Sequence, residues 1–257
     1  MSKHIEGPDT STAWALAADY LRTRPDAECS NLAVSIASAA SERGEIRHEL
    51  DTFIRAARAR GKRIPDIDTV RDTIFQTSFY RPNAKDPEEH LYGMESRIRA
   101  AVRRAPGNRN GTYFERLVAY PGAQGGVNQL RRVVDRLRSA ARNGRRNGNQ
   151  YELALYHPEK DPYPVGFPCL SHISITLRGG VLDATAVYRN QYFLARAYGN
   201  FLGIGAVMTF LAAESGFSVG ELLCVASHAR LEADGFGQER VRALVDRCTE
   251  LASGAGQ

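Results

Sequence analysis

The apolar positions of this chain recur with two periods, and the switches between them divide it into elements. Across residues 11–22 (STAWALAADYLR), Trp14, Ala17, Ala18 and Leu21 fall at helical spacing behind a Ser/Thr cap signal. Thr23 to Asn31 is polar, contains Pro25, and reads as a loop before a strand over 32–36. The clearest helix of the first half covers 45–60, where Ile46, Leu50, Phe53, Ile54 and Ala57 form one stripe and Gly61 stops it. Residues 67–79 read as a helix, 81–89 as a loop and 91–102 as another helix. Leu130, Val133, Val134 and Leu137 mark a helix over 128–142; a loop over 144–149, a strand over 151–156 and a last helix over 239–251 follow.

The most informative pattern runs from Phe167 to Asn200. Cys169 follows Pro168, a period-two run leads to Gly179-Gly180, and a second period-two run ends in Tyr188-Arg189-Asn190 before Gly199-Asn200. This is a hairpin signature, and the outer ends of two antiparallel strands return to one sheet edge. Cys169 lies ten positions before the glycine pair and Arg189 nine after it, so a thiol and a guanidinium can share that edge. Such a pairing suits a nucleophile acting on a phosphorylated substrate. A helical run and a strand-like LLCVAS then lead to Ser227-His228.

Composition narrows the class. With 257 residues, 43% hydrophobic and 25% charged, the chain can bury one large core or two small ones. No run of eighteen apolar residues appears and the N-terminal MSKHIEGPDTST lacks a signal-peptide core, so a cytoplasmic protein that does not enter a membrane is expected. Cys29, Cys169, Cys224 and Cys248 stand far apart without a C-x-x-C pair, which argues against a metal site and a disulfide scaffold. The net charge is +5 and arginine dominates it. Because acidic residues accompany these arginines on helical stretches, they read as solvated helix faces plus a phosphate-binding mouth. Nucleic-acid binding is the alternative, suggested by charge alone, and no recognisable module supports it.

The order Pro-Cys, hairpin, Tyr-Arg-Asn, Gly-Asn and Ser-His resembles thymidylate synthase, with its Pro-Cys-His, Gln-Arg-Ser, Phe-Asn and Gly-Asp-x-His-x-Tyr elements. The resemblance covers Tyr151 to Leu231, about a third of the chain. It implies an α+β fold in a single domain over 1–257: a large twisted mixed sheet with helices on one face and a second subunit of a homodimer against the other. Residues 62–110 would be a helical insertion. It assigns Cys169 as nucleophile, Arg189 to the substrate phosphate with Asn190 as a further substrate contact, Asn200 to the pyrimidine, and His228 to the sugar or phosphate. Arg24 is similar in placement to a loop arginine that closes on that phosphate, although a loop arginine also serves solubility alone. His48-Glu49-Leu50 with Phe53 resembles the helix whose glutamate relays protons, which nominates Glu49; flanking the apolar stripe is its plain alternative. Tyr113, ahead of Asn128-Gln129-Leu130, resembles the family's active-site tyrosine, and Tyr92-Gly93 competes for that place. Arg145 and Arg146 stand near the position of arginines that reach a partner's phosphate.

The chemistry behind these assignments is general. A thiolate can add at the electron-poor C6 of a pyrimidine and make C5 a carbon nucleophile. A guanidinium such as that of Arg189 or Arg196 favours the thiolate, and a planar guanidinium grips phosphate bidentately. The Asn200 amide matches the N3–H and O4 pattern of uracil. Each residue also has a plain reading: a buried cysteine, a turn asparagine, a core histidine.

Departures from the family cluster on the one-carbon side. Leu170 replaces the histidine after the cysteine, Tyr192 the folate-contacting aspartate and Arg230 the sugar-contacting tyrosine; the closing C-terminal strand has no counterpart. The expected function is therefore one-carbon transfer, methyl or hydroxymethyl, to C5 of a pyrimidine nucleoside monophosphate, with 5,10-methylenetetrahydrofolate as the implied cofactor near Tyr192. Relatives that hydroxymethylate ribonucleotides for nucleoside natural products fit the change at Arg230. A non-catalytic pyrimidine-nucleotide-binding protein is the alternative.

Overall fold

The computed structural model describes residues 2–108, 110–122, 126–162 and 168–254; Phe167, at the start of the hairpin signature, and residues 255–257 of the expected tail lie outside them. The chain is mixed α/β, with a seven-stranded mixed sheet and flanking helices, which agrees with α+β at this level. Its residues group into two compact units. One comprises 1–71, 187–205 and 221–257, the other 72–186 and 206–220, so the expected insertion at 62–110 is divided between them.

The first unit begins with a strand absent from the sequence reading, β1 (Lys3–Asp9). Only Ile5 and Gly7 of it are buried, too few apolar positions to signal a strand. The helix α1 (Thr10–Arg22) follows at once, and Asp9 rather than a Ser/Thr caps it, accepting from the Thr12 N–H at 2.8 Å. Trp14 is fully buried and its indole N–H donates to the Phe193 carbonyl at 2.9 Å. β2 (Glu28–Ser38) starts four residues earlier than predicted, after a short 3-10 turn at Pro25–Ala27 in which Asp26 and Ala27 have positive φ. It pairs parallel with β1 and antiparallel with β7 (Ser218–Arg230). β6 (Gln191–Tyr192) pairs parallel with the end of β7.

The helix α2 (Gly44–Ala59) buries the predicted Ile46, Leu50, Ile54 and Ala57. α3 (Ile67–Ile74) is shorter than expected, with a separate 3-10 turn at Thr77–Phe79. A π-turn at Phe193–Ala197 leads into α7 (Tyr198–Ser215). Gly199-Asn200 therefore sits inside a helix instead of a turn. The Gly199 position explains the residue: a Cβ there would stand 2.6 Å from Val70 Cβ and 2.7 Å from the Ile67 carbonyl. The stretch Phe193–Ser215 is apolar enough by length and composition to span a membrane, yet 78% of its most apolar window is buried, as in a core helix. Downstream of β7, the short α8 (Ala233–Phe236) and α9 (Gln238–Ser253) complete this unit, and α9 packs against α1 and α2.

The second unit contains α4 (Pro87–Val102), which begins earlier than predicted behind an Asp86 cap, α5 (Tyr113–Val118) and α6 (Gln129–Arg142) with its Asn128 cap. β3 (Gly148–Ala154) pairs antiparallel with β4 (Leu170–Arg178), which neighbours β5 (Val181–Tyr188). The Gly179-Gly180 turn of the predicted hairpin has φ of 61° and 88°, values that glycine adopts without strain. Phe75 packs edge-on against Phe114 at 5.5 Å and tilted against Phe210 at 5.4 Å in its core. Arginines here are largely engaged: Arg99 with Glu95, Arg103 with Glu115, Arg131 with Glu89, and Arg138 with Glu88 and Glu214.

Candidate functional site

Of the four cysteines, Cys29, Cys224 and Cys248 are buried and Cys169 is not. Burial pushes the Cys224 thiol far up, and it pushes Cys248 up to about 12, so neither is poised as a nucleophile. Cys169 stands one residue ahead of β4. Its backbone N–H and that of Leu170 both donate to the Tyr113 hydroxyl, at 3.2 and 3.3 Å. Tyr113 opens α5, where the Thr112 side chain caps the helix by accepting from the Glu115 N–H. Two residues nominated by the one resemblance, 56 positions apart, thus meet inside the second unit. The same unit holds Arg146, whose guanidinium donates to the Gly179 carbonyl at 3.0 and 3.2 Å and braces the hairpin turn of its own chain.

The remaining predicted residues belong to the first unit. Residues opposite one another on paired strands project to the same face, and neighbours along a strand alternate. The register places Cys29, Ala229 and Gln191 in one row, all buried. The flanking rows, Glu28 with Arg230 and Tyr192, and Ser30 with His228, therefore project to the other face, which is polar. His228 Nδ1 lies 2.8 Å from Asn190 Oδ1, and Nε2 lies 3.1 Å from Glu28 Oε2. Arg230 reaches Glu28 at 3.4 Å and Asp234 at 2.6 Å. His228 is thus on a half-exposed strand end, neither in a helical run nor in the core. Tyr192 is 42% exposed on this face.

This face opens into a cleft of about 1010 Å³, whose walls include Arg24, Glu28, Arg230 and Arg242. Arg24 stacks over the Tyr20 ring at 5.6 Å. Glu28, which sequence reasoning left in a loop, is a member it missed; its only signal was a carboxylate four residues from a predicted strand boundary. Arg189 follows β5 immediately and is half-buried, and Asn200 is 5% exposed in the first turn of α7. Glu49 lies apart from the cleft walls, and its carboxylate faces Arg247 of α9 at 3.5 Å.

Nearby, Glu232 accepts from the backbone N–H groups of Leu194 and Ala195 at 2.9 and 3.2 Å. Burial raises its pKa against the pull of those donors. Its carboxylate holds the entry to the π-turn. Among the described residues no group of three or more His, Cys, Asp or Glu could hold a metal ion. In comparisons with known proteins, no family model matches the chain and no curated protein matches its sequence.

Proposed function

We propose that the chain is a thymidylate-synthase-like, homodimeric enzyme of the cytoplasm that uses Cys169 to activate C5 of a pyrimidine nucleoside monophosphate for one-carbon transfer. One observation carries the reading: the sole cysteine that is not buried is the one ahead of the hairpin, and the nominated Tyr113 holds its peptide N–H. A thiolate at that position adds to C6, and the C5=C6 electron pair moves toward the C4 carbonyl. The enolate-like C5 then bonds to the electrophilic carbon of a one-carbon donor, whose carbon–heteroatom electron pair moves onto the heteroatom. Loss of the C5 proton and expulsion of the thiolate restore the double bond. Arg189 is assigned the phosphate and Asn200 the base, with His228, Asn190, Arg24 and Arg230 as further substrate contacts.

The resemblance is weakest at the family's folate contact. Tyr192, in the place of its carboxylate, is a half-exposed phenol, and the Glu232 carboxylate accepts from two peptide N–H groups.

The test is intact-mass detection of a covalent adduct with 5-fluoro-pyrimidine nucleotides of both sugars, with and without methylenetetrahydrofolate. An adduct present in the wild type and lost in Cys169→Ala and Arg189→Ala supports the reading; no adduct with any of them overturns it. The second reading, a nucleotide-binding protein without turnover, rests on the polar face of the first unit. It expects calorimetric binding of a pyrimidine nucleotide with no tritium release from C5.

A further inference from the structure

Side chains alternate along β1, and the alternation gives its two faces different chemistry. Ile5 and Gly7 are buried, and a Cβ on Gly7 would stand 2.6 Å from Ala13 of α1, so His4 and Glu6 project away from that helix. The parallel register sets Glu6 opposite Ser35 of β2, with His4 one step along the same face. All three line a cavity of about 370 Å³, together with Glu221 of β7. It shares no lining residue with the cleft at Glu28.

The contacts put the three groups in a fixed order. His4 Nε2 lies 2.9 Å from Ser35 Oγ, and His4 Nδ1 lies 3.4 Å from Glu6 Oε1. Their polarity follows from the groups themselves. An ionised carboxylate only accepts, so the ring nitrogen facing Glu6 is the one that carries hydrogen. In the neutral imidazole Nε2 is then the acceptor, and the Ser35 hydroxyl is the donor. A hydroxyl whose proton points at an imidazole, itself oriented by a carboxylate, is the arrangement that activates serine for nucleophilic attack. Ser35 is buried while His4 and Glu6 are exposed, so the hydroxyl is screened by the groups that would activate it. Glu6 and Glu221 bring two carboxylates to the cavity, and among the described residues no lysine or arginine lines it, which disfavours anionic substrates.

We infer that Ser35 is a second nucleophile of this chain, taking acyl groups from uncharged carboxylic esters with His4 as general base. Glu6 is a positioning residue that acts through His4. The inference goes beyond the nucleotide reading and does not use Cys169. Ser35 Oγ bonds to the ester carbonyl carbon as its proton passes to His4 Nε2. The bond from that carbon to the alcohol oxygen breaks, and the departing oxygen takes the proton from His4. Water then repeats the sequence on the acyl-serine, releasing the carboxylic acid and restoring the hydroxyl.

The test uses the full chain with two uncharged probes. Diisopropyl fluorophosphate forms a bond from phosphorus to a nucleophilic serine oxygen as fluoride leaves, and peptide mapping should place that group on Ser35. The wild type should also hydrolyse p-nitrophenyl acetate. Ser35→Ala should abolish both, and His4→Asn should slow labelling at least about a hundredfold, the scale of a general base. Glu6→Gln should lower kcat for the acetate and leave KM unchanged, because Glu6 reaches the ester only through His4. Mono-p-nitrophenyl succinate, whose acyl group is anionic, should turn over more slowly than the acetate. No label on Ser35 in the wild type overturns the inference, as does ester hydrolysis that survives Ser35→Ala. So does labelling at the wild-type rate in a His4→Asn protein that circular dichroism shows to be folded. An unchanged kcat in Glu6→Gln overturns the part given to Glu6, and equal rates for the two esters overturn the selection by charge.

Discussion

The two units contain the same pairing, guanidinium on carboxylate, built to opposite ends. In the second unit Arg116 grips Asp161 with two bonds of 2.5 and 2.7 Å and also donates to the carbonyls of Leu155 and Asn110. Asp161 takes a further N–H from His157 at 2.9 Å, and the two side chains are 9% and 2% exposed. In the first unit Arg230 and Glu28 are each about a third exposed, and Glu28 shares its oxygens with His228. The closed pair has spent its hydrogen-bonding capacity on the fold. The open one retains acceptor sites on an accessible face, and that difference separates an ion pair closed into the fold from one able to take a further partner.

The sharpest way to break the comparison is to truncate both carboxylates. Asp161→Ala leaves a buried guanidinium uncompensated and should cost about 3–5 kcal/mol, read as a lower denaturation midpoint. Glu28→Ala should cost no more than about 1 kcal/mol, because its pair is screened by solvent. Comparable losses at the two sites would erase the distinction.

Acid should find the closed pair as well. Burial works against the Asp161 carboxylate, but the Arg116 guanidinium and the His157 N–H outweigh it and hold its pKa below the usual carboxylate range. A depressed folded pKa means stability that is fully present above the unfolded value and lost as pH falls through the folded one. Denaturation midpoints of the wild type should therefore decline on the acid side of about pH 4, near the unfolded carboxylate value. In Asp161→Asn this contribution should vanish, leaving a flatter profile; an identical acid slope would show that the pair does not couple to pH.

A smaller effect is expected where the second unit presents the thiol. Tyr113→Phe removes the oxygen that accepts from Cys169 and Leu170 and leaves two N–H groups without it, at a cost of about 1–3 kcal/mol. The same change should alter the alkylation rate of Cys169 by iodoacetamide, measured by mass spectrometry. A change in stability without a change in that rate would make Tyr113 a fold residue only.

Much of this was legible in sequence where local pattern and local chemistry coincide. The hairpin followed from alternation around Gly179-Gly180, and the α2 stripe from Ile46, Leu50, Ile54 and Ala57. What escaped was decided by packing at long range. β1 is nearly all polar, and the boundary of β2 was masked by Pro25 and by two residues with positive φ. Gly199 signalled a turn, whereas it serves the close approach of α7 to α3. Asn190, Tyr192, His228 and Arg230 could be nominated one at a time, but their common face depends on the parallel pairing of two residues in β6, which no local pattern announces. Glu28 was missed for that reason: a carboxylate acquires meaning only when the register sets it beside His228 and Arg230.

The subtlest prediction follows from that register. Glu28→Gln keeps the shape of the side chain and an oxygen for one partner, so global stability should move by less than about 1 kcal/mol. Both His228 and Arg230 would nevertheless lose an anionic neighbour, and Arg230 would keep only Asp234. Combining Glu28→Gln with Arg230→Ala should then give a stability loss smaller than the sum of the two single changes, because the Glu28–Arg230 contact is removed by either one. Strict additivity across that cycle would mean that the open pair is an adjacency without energetic content, and that the polar face is held by the backbone pairing of β2, β7 and β6 alone.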